Sequence, residues 1–479
     1  MKKLQKILSI VLVAIFVCLT FCSCSNTGKS IMTATYSDSA NASDGLNLAS
    51  SATYITQDGK TKKSFSLKGK AEENKYVTVD FGDSVDFNTV ILGESGKKVT
   101  LFEIYGSNEQ DANYQFLYQS DCIEGGHTCF LGDVKYRYLR IFVNQASGKF
   151  NVNNFEAYYL KNENANDLRV NSYLVAEDIT EDYDFSCLDA ITDIIIFGTA
   201  KFDEKGNIKI YDRDSNEVDL HYYSDKVNIV KKAIGDRDIN LICDIAMPYG
   251  EDNAYIISMM NDENVDNLVA NIVSFVNELG FDGYDMDYEF PYSKLEWRQF
   301  NNFLRNLDKA MPDKIISLAI APWDLQFDDD VIKIIDRAEV MLYDMFTAHN
   351  YHSIFSTTVN GIDKALKGGF DAKQIDLGVP FFSRPTNRHA YWGSYAQFED
   401  SLDRYTNLVY YNDFDHDGNP MTAPQYINSV QMIADKTAFA IDAGLGGIMI
   451  WHMNCDLPYD NELSLFRAIK DTKTDKSAM

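Results

Sequence analysis

The sequence predicts a multidomain chain in which an all-β sandwich precedes an α/β unit built on a parallel sheet. Three observations carry this. Over residues 45–160, short runs of β-branched and aromatic residues are punctuated by Gly, Asp, Asn and Ser, with no helical period. After about Asp167 the pattern turns to alternating strand-like and helix-like segments. The chain has 479 residues, 45% of them hydrophobic, enough for more than one buried core.

In chain order, the first element is an export signal. Lys2, Lys3 and Lys6 precede an apolar run over 7–21, too short for an ordinary membrane span. The run closes on Phe21-Cys22-Ser23-Cys24-Ser25, which resembles a bacterial lipoprotein box. The resemblance implies a signal peptide over 1–24 and a lipidated Cys24, because the residue before Cys24 is small and the one before Cys22 is not. Residues 25–41 read as a tether. The expected location is the extracellular face of a bacterial membrane, lipid-anchored, or the medium.

The β unit is expected over 42–162, with strands near 76–82, 89–92, 99–105 and 136–143. Its order of segments resembles a discoidin-like domain, the fold of family 32 carbohydrate-binding modules. The resemblance rests on Asp58-Gly59, Val79-Asp80-Phe81-Gly82, Phe102-Glu103-Ile104-Tyr105-Gly106-Ser107, Arg137-Tyr138-Leu139-Arg140-Ile141 and Asn154-Phe155-Glu156-Ala157-Tyr158. All four Trp fall in the other domain, so a spacer and a sugar-binding module are both open readings. Cys122 and Cys129 flank a Gly-Gly turn and stand where a hairpin would let them face each other. The composition break implies separate cores for the two units.

The second unit, over 165–475, carries the chemistry. Val265, Leu268, Ile272, Phe275, Val276 and Leu279 recur at helical spacing, and Gly280 ends the helix. Ser293 and Glu296 form a capping box before Trp297, Phe300, Leu304 and Leu307. Between these helices lies Phe281-Asp282-Gly283-Tyr284-Asp285-Met286-Asp287-Tyr288-Glu289-Phe290-Pro291. On a strand, Asp285, Asp287 and Glu289 share one face. Carboxyls stacked that way repel one another, so a purely structural role is a poor explanation. In a closed barrel the last of them reaches the C-terminal mouth, where a raised pKa suits a general acid. If the reaction is glycoside cleavage, Asp287 and Glu289 on one face cannot flank the sugar from opposite sides, and a nucleophile supplied by the substrate fits better.

The spacing Asp282-x-x-Asp285-x-Asp287-x-Glu289 is similar to the signature of glycoside hydrolase family 18, the chitinases and endo-β-N-acetylglucosaminidases. The likeness runs over about 168–470. A first strand falls near 170–173, and a second in Ile194-Ile195-Ile196-Phe197 with the turn Asp203-Glu204-Lys205-Gly206. Met341-Leu342-Tyr343-Asp344, Leu377-Gly378-Val379-Pro380-Phe381-Phe382 and Gly446-Gly447-Ile448-Met449-Ile450-Trp451 match the sixth, seventh and eighth strands. The resemblance implies a TIM (β/α)8 barrel. It also implies that Glu289 protonates the glycosidic oxygen and that the substrate's acetamido group attacks the anomeric carbon. Asp287 would hold the acetamido N–H, and Asp285 would share a proton with Asp287. Tyr343 would donate to the acetamido oxygen. Trp451 would floor the subsite, with Met341, Asp344 and Tyr173 lining it, while Asp282 faces away. The third strand departs from the family's Ser-x-Gly-Gly: here it reads Leu241-Ile242-Cys243-Asp244-Ile245-Ala246-Met247. The stretch between the seventh strand and the last helix is too short for an extra domain, so an open cleft and endo-cleavage are expected.

Composition narrows the partners. Lys and Arg number 44 against 71 Asp and Glu, a net charge of 44 − 71 = −27. Such a chain lacks the basic footprint of a nucleic-acid binder and is repelled by anionic lipid. A neutral N-acetylglucosamine-containing glycan fits, with membrane contact only through a lipid and the protein a monomer. No Cys-x-x-Cys or His-Glu-x-x-His spacing occurs, so neither metal nor cofactor is expected. Asp413-x-Asp415-x-Asp417-Gly418 starts like a calcium loop, but Pro424 stands where its Glu belongs, so it reads as a hairpin turn. Trp323 and Trp392 follow the expected fifth and seventh strands, where sugar stacking and core packing would each explain them. Two functions follow: a glycosidase of chitin or N-glycan cores, and a non-catalytic lectin of the same fold. Lectins of this family typically lose the acid, and Glu289 is present, which favours the enzyme.

Overall fold

The computed structural model describes residues 47–248, 253–387, 391–415 and 417–478. The signal segment, the tether and Cys24 lie outside the described residues. So do the side chain of Asp413 and the backbone of His416 in the calcium-like run.

The first unit is one eight-stranded antiparallel sheet. Its strands are β1 (Thr53–Thr56), β2 (Thr61–Lys62), β3 (Leu67–Gly69), β4 (Lys75–Glu94), β5 (Val99–Ser107), β6 (Gln115–Ser120), β7 (His127–Ala146) and β8 (Phe150–Tyr158). The path runs β2-β1-β4-β7-β5-β6, with β8 bridging β4 and β3. β4 and β7 are 20 residues each and pair along most of their length. The register breaks between Asp80 and Val85, around Gly82 at φ 89°, where a left-handed backbone favours glycine. Alternate residues such as Val77, Val79, Phe102, Ile104, Leu139 and Ile141 point into one apolar cluster.

The second unit is a closed parallel barrel. It begins with β9 (Arg169–Val175) and β10 (Asp193–Phe197), then a small sheet of β11 (Ala200–Phe202), β12 (Ile208–Tyr211) and β13 (Glu217–Val218). Then come α1 (Leu220–Ile234), β14 (Asn240–Asp244), α2 (Ala254–Met259), α3 (Val265–Leu279), β15 (Gly283–Asp287), α4 (Lys294–Ala310) and β16 (Ile315–Ile320). α5 (Asp329–Ile332), β17 (Arg337–Val340), α6 (Phe355–Lys367) and β18 (Ile375–Pro380) follow. A second small sheet of β19 (Arg384–Pro385), β20 (Leu408–Phe414) and β21 (Pro420–Tyr426) precedes α7 (Val430–Asp442), β22 (Gly447–Trp451) and α8 (Leu465–Lys476). The ring closes as β10-β14-β15-β16-β17-β18-β22-β9. Local signals act where expected. Gly280 takes φ 62° and ψ 48° to stop α3, and Ser293 with Glu296 forms the full capping box of α4. The calcium-like run spans a hairpin between β20 and β21, in which Asp415 accepts from the main-chain N–H of Asp417 and Asn419.

One expectation about the first unit is refined and one corrected. The β unit keeps a core of its own, yet it also packs on the barrel: Ile91, Tyr158 and Leu160 belong to the apolar cluster of the barrel, and Phe130 packs on Ala434 and Ala438 of α7. The junction is also polar. The Asp435 carboxylate accepts from Tyr118 Oη at 2.6 Å, from the Phe130 N–H at 2.8 Å and from Gln431 Nε2 at 3.0 Å. His127 Nε2 lies 3.2 Å from the same carboxylate. Cys122 and Cys129 are both free and do not face each other. Cys129 sits in the β-unit core, whereas Cys122 packs on Ile354 and Tyr426 of the barrel.

Candidate active site

The interior of the barrel is polar at its base. Arg337 pairs with Asp193 at 2.6 Å, and Arg169 with Asp376 at 2.7 Å. Asn171 donates to Glu339 at 2.8 Å and to Asp376 at 2.5 Å, and Ser317 donates to Glu339 at 3.1 Å. Burial, then the charges of Asp376 and Asp285, push Glu339 well above the usual carboxyl range. Above this base the interior turns apolar through Ile195, Ile242 and Met449.

The acidic run climbs through this interior to the mouth. Asp285 is fully buried on β15, Asp287 ends that strand partly buried, and Glu289 stands just beyond it, exposed. Tyr173 on β9 donates to Asp285 at 2.7 Å. Burial raises Asp285 to about 6. Burial, the charges of Glu289 and Asp285, and a hydrogen bond to Glu289 hold Asp287 well above its ordinary value. Glu289 is also raised, first by its desolvating walls and then by Asp344. Stacked acids in a drying environment keep protons, which is what a general acid requires. Asp282 points to the base of the strand, where it accepts from the Leu241 N–H at 2.8 Å.

A cavity of about 280 Å³ opens over this row. Its walls bring together the predicted Tyr173, Asp287, Glu289, Met341, Tyr343, Asp344 and Trp451. Trp451 is braced by Tyr173 and Phe197, with ring centroids 5.1 and 5.0 Å away. The Tyr343 hydroxyl rests on the Met449 sulphur at 3.9 Å, a weak acceptor, and is available to a better one. Asp285 does not reach the cavity and acts from beneath. Trp392 lines the cavity, half exposed, while Trp323 stands in an adjoining apolar cleft of about 190 Å³ with Phe290 and Tyr292.

Three site residues escape the sequence patterns. Arg384 on β19 donates twice to Asp344, at 2.6 and 2.6 Å. His352, buried and pushed towards neutral, accepts the Asp344 N–H at Nε2, 2.8 Å away. The walls around Asp344 favour its neutral form, but its contacts with His352 and Arg384 outweigh them and hold it well below the usual range. Asp344 therefore lines the cavity as half of an ion pair. Arg384 follows the seventh-strand motif closely in sequence, and only that nearness hinted at it. The third is Asp244 at the end of β14, paired in register with Asp285.

A closed parallel barrel with acids at its C-terminal mouth places the chain among (β/α)8-barrel proteins with a carboxyl-based site. Within that class the chain belongs to the glycosyl hydrolases family 18, whose family model matches residues 157–456. A curated relative, "Putative chitinase 1" of Margaritifera margaritifera, is 21% identical over 310 residues, covering 55% of this chain and 65% of that protein. The aligned region thus spans under two thirds of that relative's length. Two solved structures share the fold. The GH18 chitinase ChiB of Flavobacterium johnsoniae has 20% identity and a TM-score of 0.51, over 64% of this chain and 94% of that one. The Group IV chitinase of Ostrinia furnacalis, in complex with allosamidin, has 18% identity and a TM-score of 0.53, over 65% and 100%.

Proposed function

We propose that the protein is an exported glycosidase. It cleaves β-1,4 bonds next to N-acetylglucosamine, in chitin-type chains or N-glycan cores, with retention and with help from the substrate. One observation carries this reading. Asp287 at the end of β15 and Glu289 just beyond it enter the cavity from the same strand end, and the remaining acid at the cavity, Asp344, is tied up by Arg384. No carboxylate among the described cavity residues is free to attack from the face opposite Glu289.

The steps follow from this placement. A pyranose ring lies on Trp451. Glu289 gives its proton to the glycosidic oxygen as the bond to the anomeric carbon breaks. The acetamido carbonyl oxygen attacks that carbon and closes an oxazolinium ring. Asp287 accepts from the acetamido N–H and balances the positive charge, while Tyr343 orients the acetamido oxygen. Water, deprotonated by Glu289, then opens the ring with overall retention. Holding the nucleophile on the substrate makes the attack intramolecular, an advantage of up to about 7–11 kcal/mol in well-oriented systems.

The test uses chitooligosaccharides and a high-mannose glycoprotein. A thiazoline analogue of the oxazolinium ion should inhibit, and a fully deacetylated oligomer should resist cleavage. An inverted product seen early by proton NMR, or equal cleavage of the deacetylated oligomer, would refute the mechanism. Binding of sugars without any hydrolysis would leave the lectin reading. The β unit is proposed to be a discoidin-like module, on the segments that form β4, β5, β7 and β8. Export and anchoring through Cys24 are proposed from the lipoprotein-like box. The intact mass of membrane-extracted protein checks the anchor.

A further inference from the structure

The row of acids has a fourth member that the mechanism above does not use. Asp244 is fully buried, and among the described residues neither of its carboxyl oxygens has a side-chain hydrogen-bond donor; the main-chain N–H of Asp287 is the one donor turned towards it. It lies on the strand beside Asp285 and in register with it. Oδ1 of Asp285 and Oδ1 of Asp287 are also buried without partners. The side-chain donors on this row serve Asp285, namely Tyr173 and Ser317, and Asp287 meets Glu289, so Asp244 is left without a side-chain donor. The groups facing Asp244 are Asp285 and Asp287 on β15 and Tyr173 on β9. Cys243, Tyr223 and Tyr284 lie behind it on the outer side of the strands. No lysine or arginine hydrogen-bonds to it.

An ionised Asp244 in this setting would be a buried charge answered only by the Asp287 main-chain N–H among the described residues, at a cost of several kcal/mol. Burial and the charges of Asp285 and Asp287 drive it well above its ordinary range. A neutral carboxyl brings an O–H donor, and the vacant acceptors beside it belong to Asp285 and Asp287. We propose that Asp244 is a neutral acid that donates its proton-bearing oxygen to the Asp285–Asp287 pair and so positions that pair. It is a positioning residue: it does not touch substrate. Resting on the function proposed above, its role has a chemical purpose. The pair must carry one negative charge opposite the oxazolinium ion, and a hydrogen bond donated to a carboxylate favours the charged form. The proton of Asp244 stays in place throughout the cycle.

The experiment compares wild type with Asp244→Asn and Asp244→Leu in the full chain. Asn keeps a neutral donor and Leu keeps only bulk. At pH 7 the infrared spectrum of wild type should contain a carboxylic-acid C=O band that Asp244→Asn lacks. On a chitooligosaccharide, Asp244→Leu should lower kcat about 10- to 100-fold, the loss of one hydrogen bond to a charged group. KM should stay within about twofold, because the effect lies in the transition state. Asp244→Asn should recover most of the loss. Absence of the acid band overturns the proposal whether or not the protein is a glycosidase. Equal kcat for wild type and the Leu variant overturns it as well. Should the Leu variant not fold, Asp244→Ser supplies a shorter donor, and the infrared comparison with Asp244→Asn decides the protonation on its own.

Discussion

Two buried carboxyl environments in this molecule are built on opposite principles. At the junction between the β unit and the barrel, Asp435 is ringed by Tyr118, the Phe130 N–H, Gln431 and His127. Under the mouth of the barrel, Tyr173 and Ser317 serve Asp285, and Asp244, Asp285 and Asp287 keep four buried oxygens without partners among the described residues. A buried acid whose acceptors are filled is a fastening: its free energy lies in the contacts it makes. A buried acid whose acceptors are vacant retains its proton and can redistribute it, which is the property chemistry needs. In these two clusters the contrast separates a fastening from a row of acids that keeps protons.

The sharpest way to break the contrast is at the end of the unsatisfied row. Glu289→Gln keeps shape but has no proton to give, so kcat should fall about 10²–10⁴-fold. Calorimetric binding of a chitooligosaccharide should survive. Near-normal turnover would move the acid elsewhere. Tyr343→Phe comes next. If its idle hydroxyl serves the acetamido oxygen as charge develops there, kcat should fall about 10²–10³-fold with little change in the pH profile.

On the satisfied side, Asp435→Ala strands the Phe130 N–H at about 1–3 kcal/mol, and takes one bond, about 1–1.5 kcal/mol, from each of Tyr118 and Gln431, which keep His127 and the Phe130 carbonyl. Stability should drop by about 3–6 kcal/mol. Because Ile91, Tyr158 and Leu160 share the core of the barrel, both units should unfold in one calorimetric transition. Two well-separated transitions would show that the junction is weaker than its hydrogen bonds suggest. For the same reason, deletion of the β unit should uncover apolar faces of α7 and cost solubility as well as stability.

The smallest effect concerns pH. Asp285 is raised from 3.8 to about 6 in the folded chain. The native state then binds more protons than the unfolded one between those values, so the contribution of Asp285 to stability falls as pH rises through that window. Asp285→Asn does not titrate. Its thermal stability relative to wild type should therefore improve from pH 4 to pH 7, by up to about 3 kcal/mol. A constant difference across that range would mean that Asp285 is ionised throughout.

The Asp435 junction also shows where a sequence misleads. In α7, the polar Gln431, Asp435, Lys436 and Thr437 are all buried. β7 covers Gln431 and Asp435 on one side, and on another Lys436 is held inside by the Ser353 carbonyl and hydroxyl and by Asn428. Burial lowers Lys436 to about 7. Ser353 follows His352, the residue that meets Asp344, so the helix that receives the β unit on one side supports a wall of the candidate site on the other.

By itself, the sequence determined whatever depends on near neighbours along the chain. The period of two set Asp285 and Asp287 on one face, the period of 3.6 set α3 and α4, and Gly280 and Ser293–Glu296 set their ends. The motifs around Tyr343 and Trp451 could be placed in the same way, since each lies at or just beyond the end of one barrel strand. Only the tertiary structure decided the rest. It put Asp244 beside Asp285, aimed Arg384 at Asp344, parted Cys122 from Cys129, and packed Ile91, Tyr158 and Leu160 of the β unit into the core of the barrel. The physical reason is the same in each case. Local pattern says which way a side chain points, but the charge it keeps depends on the donors and acids it meets there, and those arrive from distant parts of the chain.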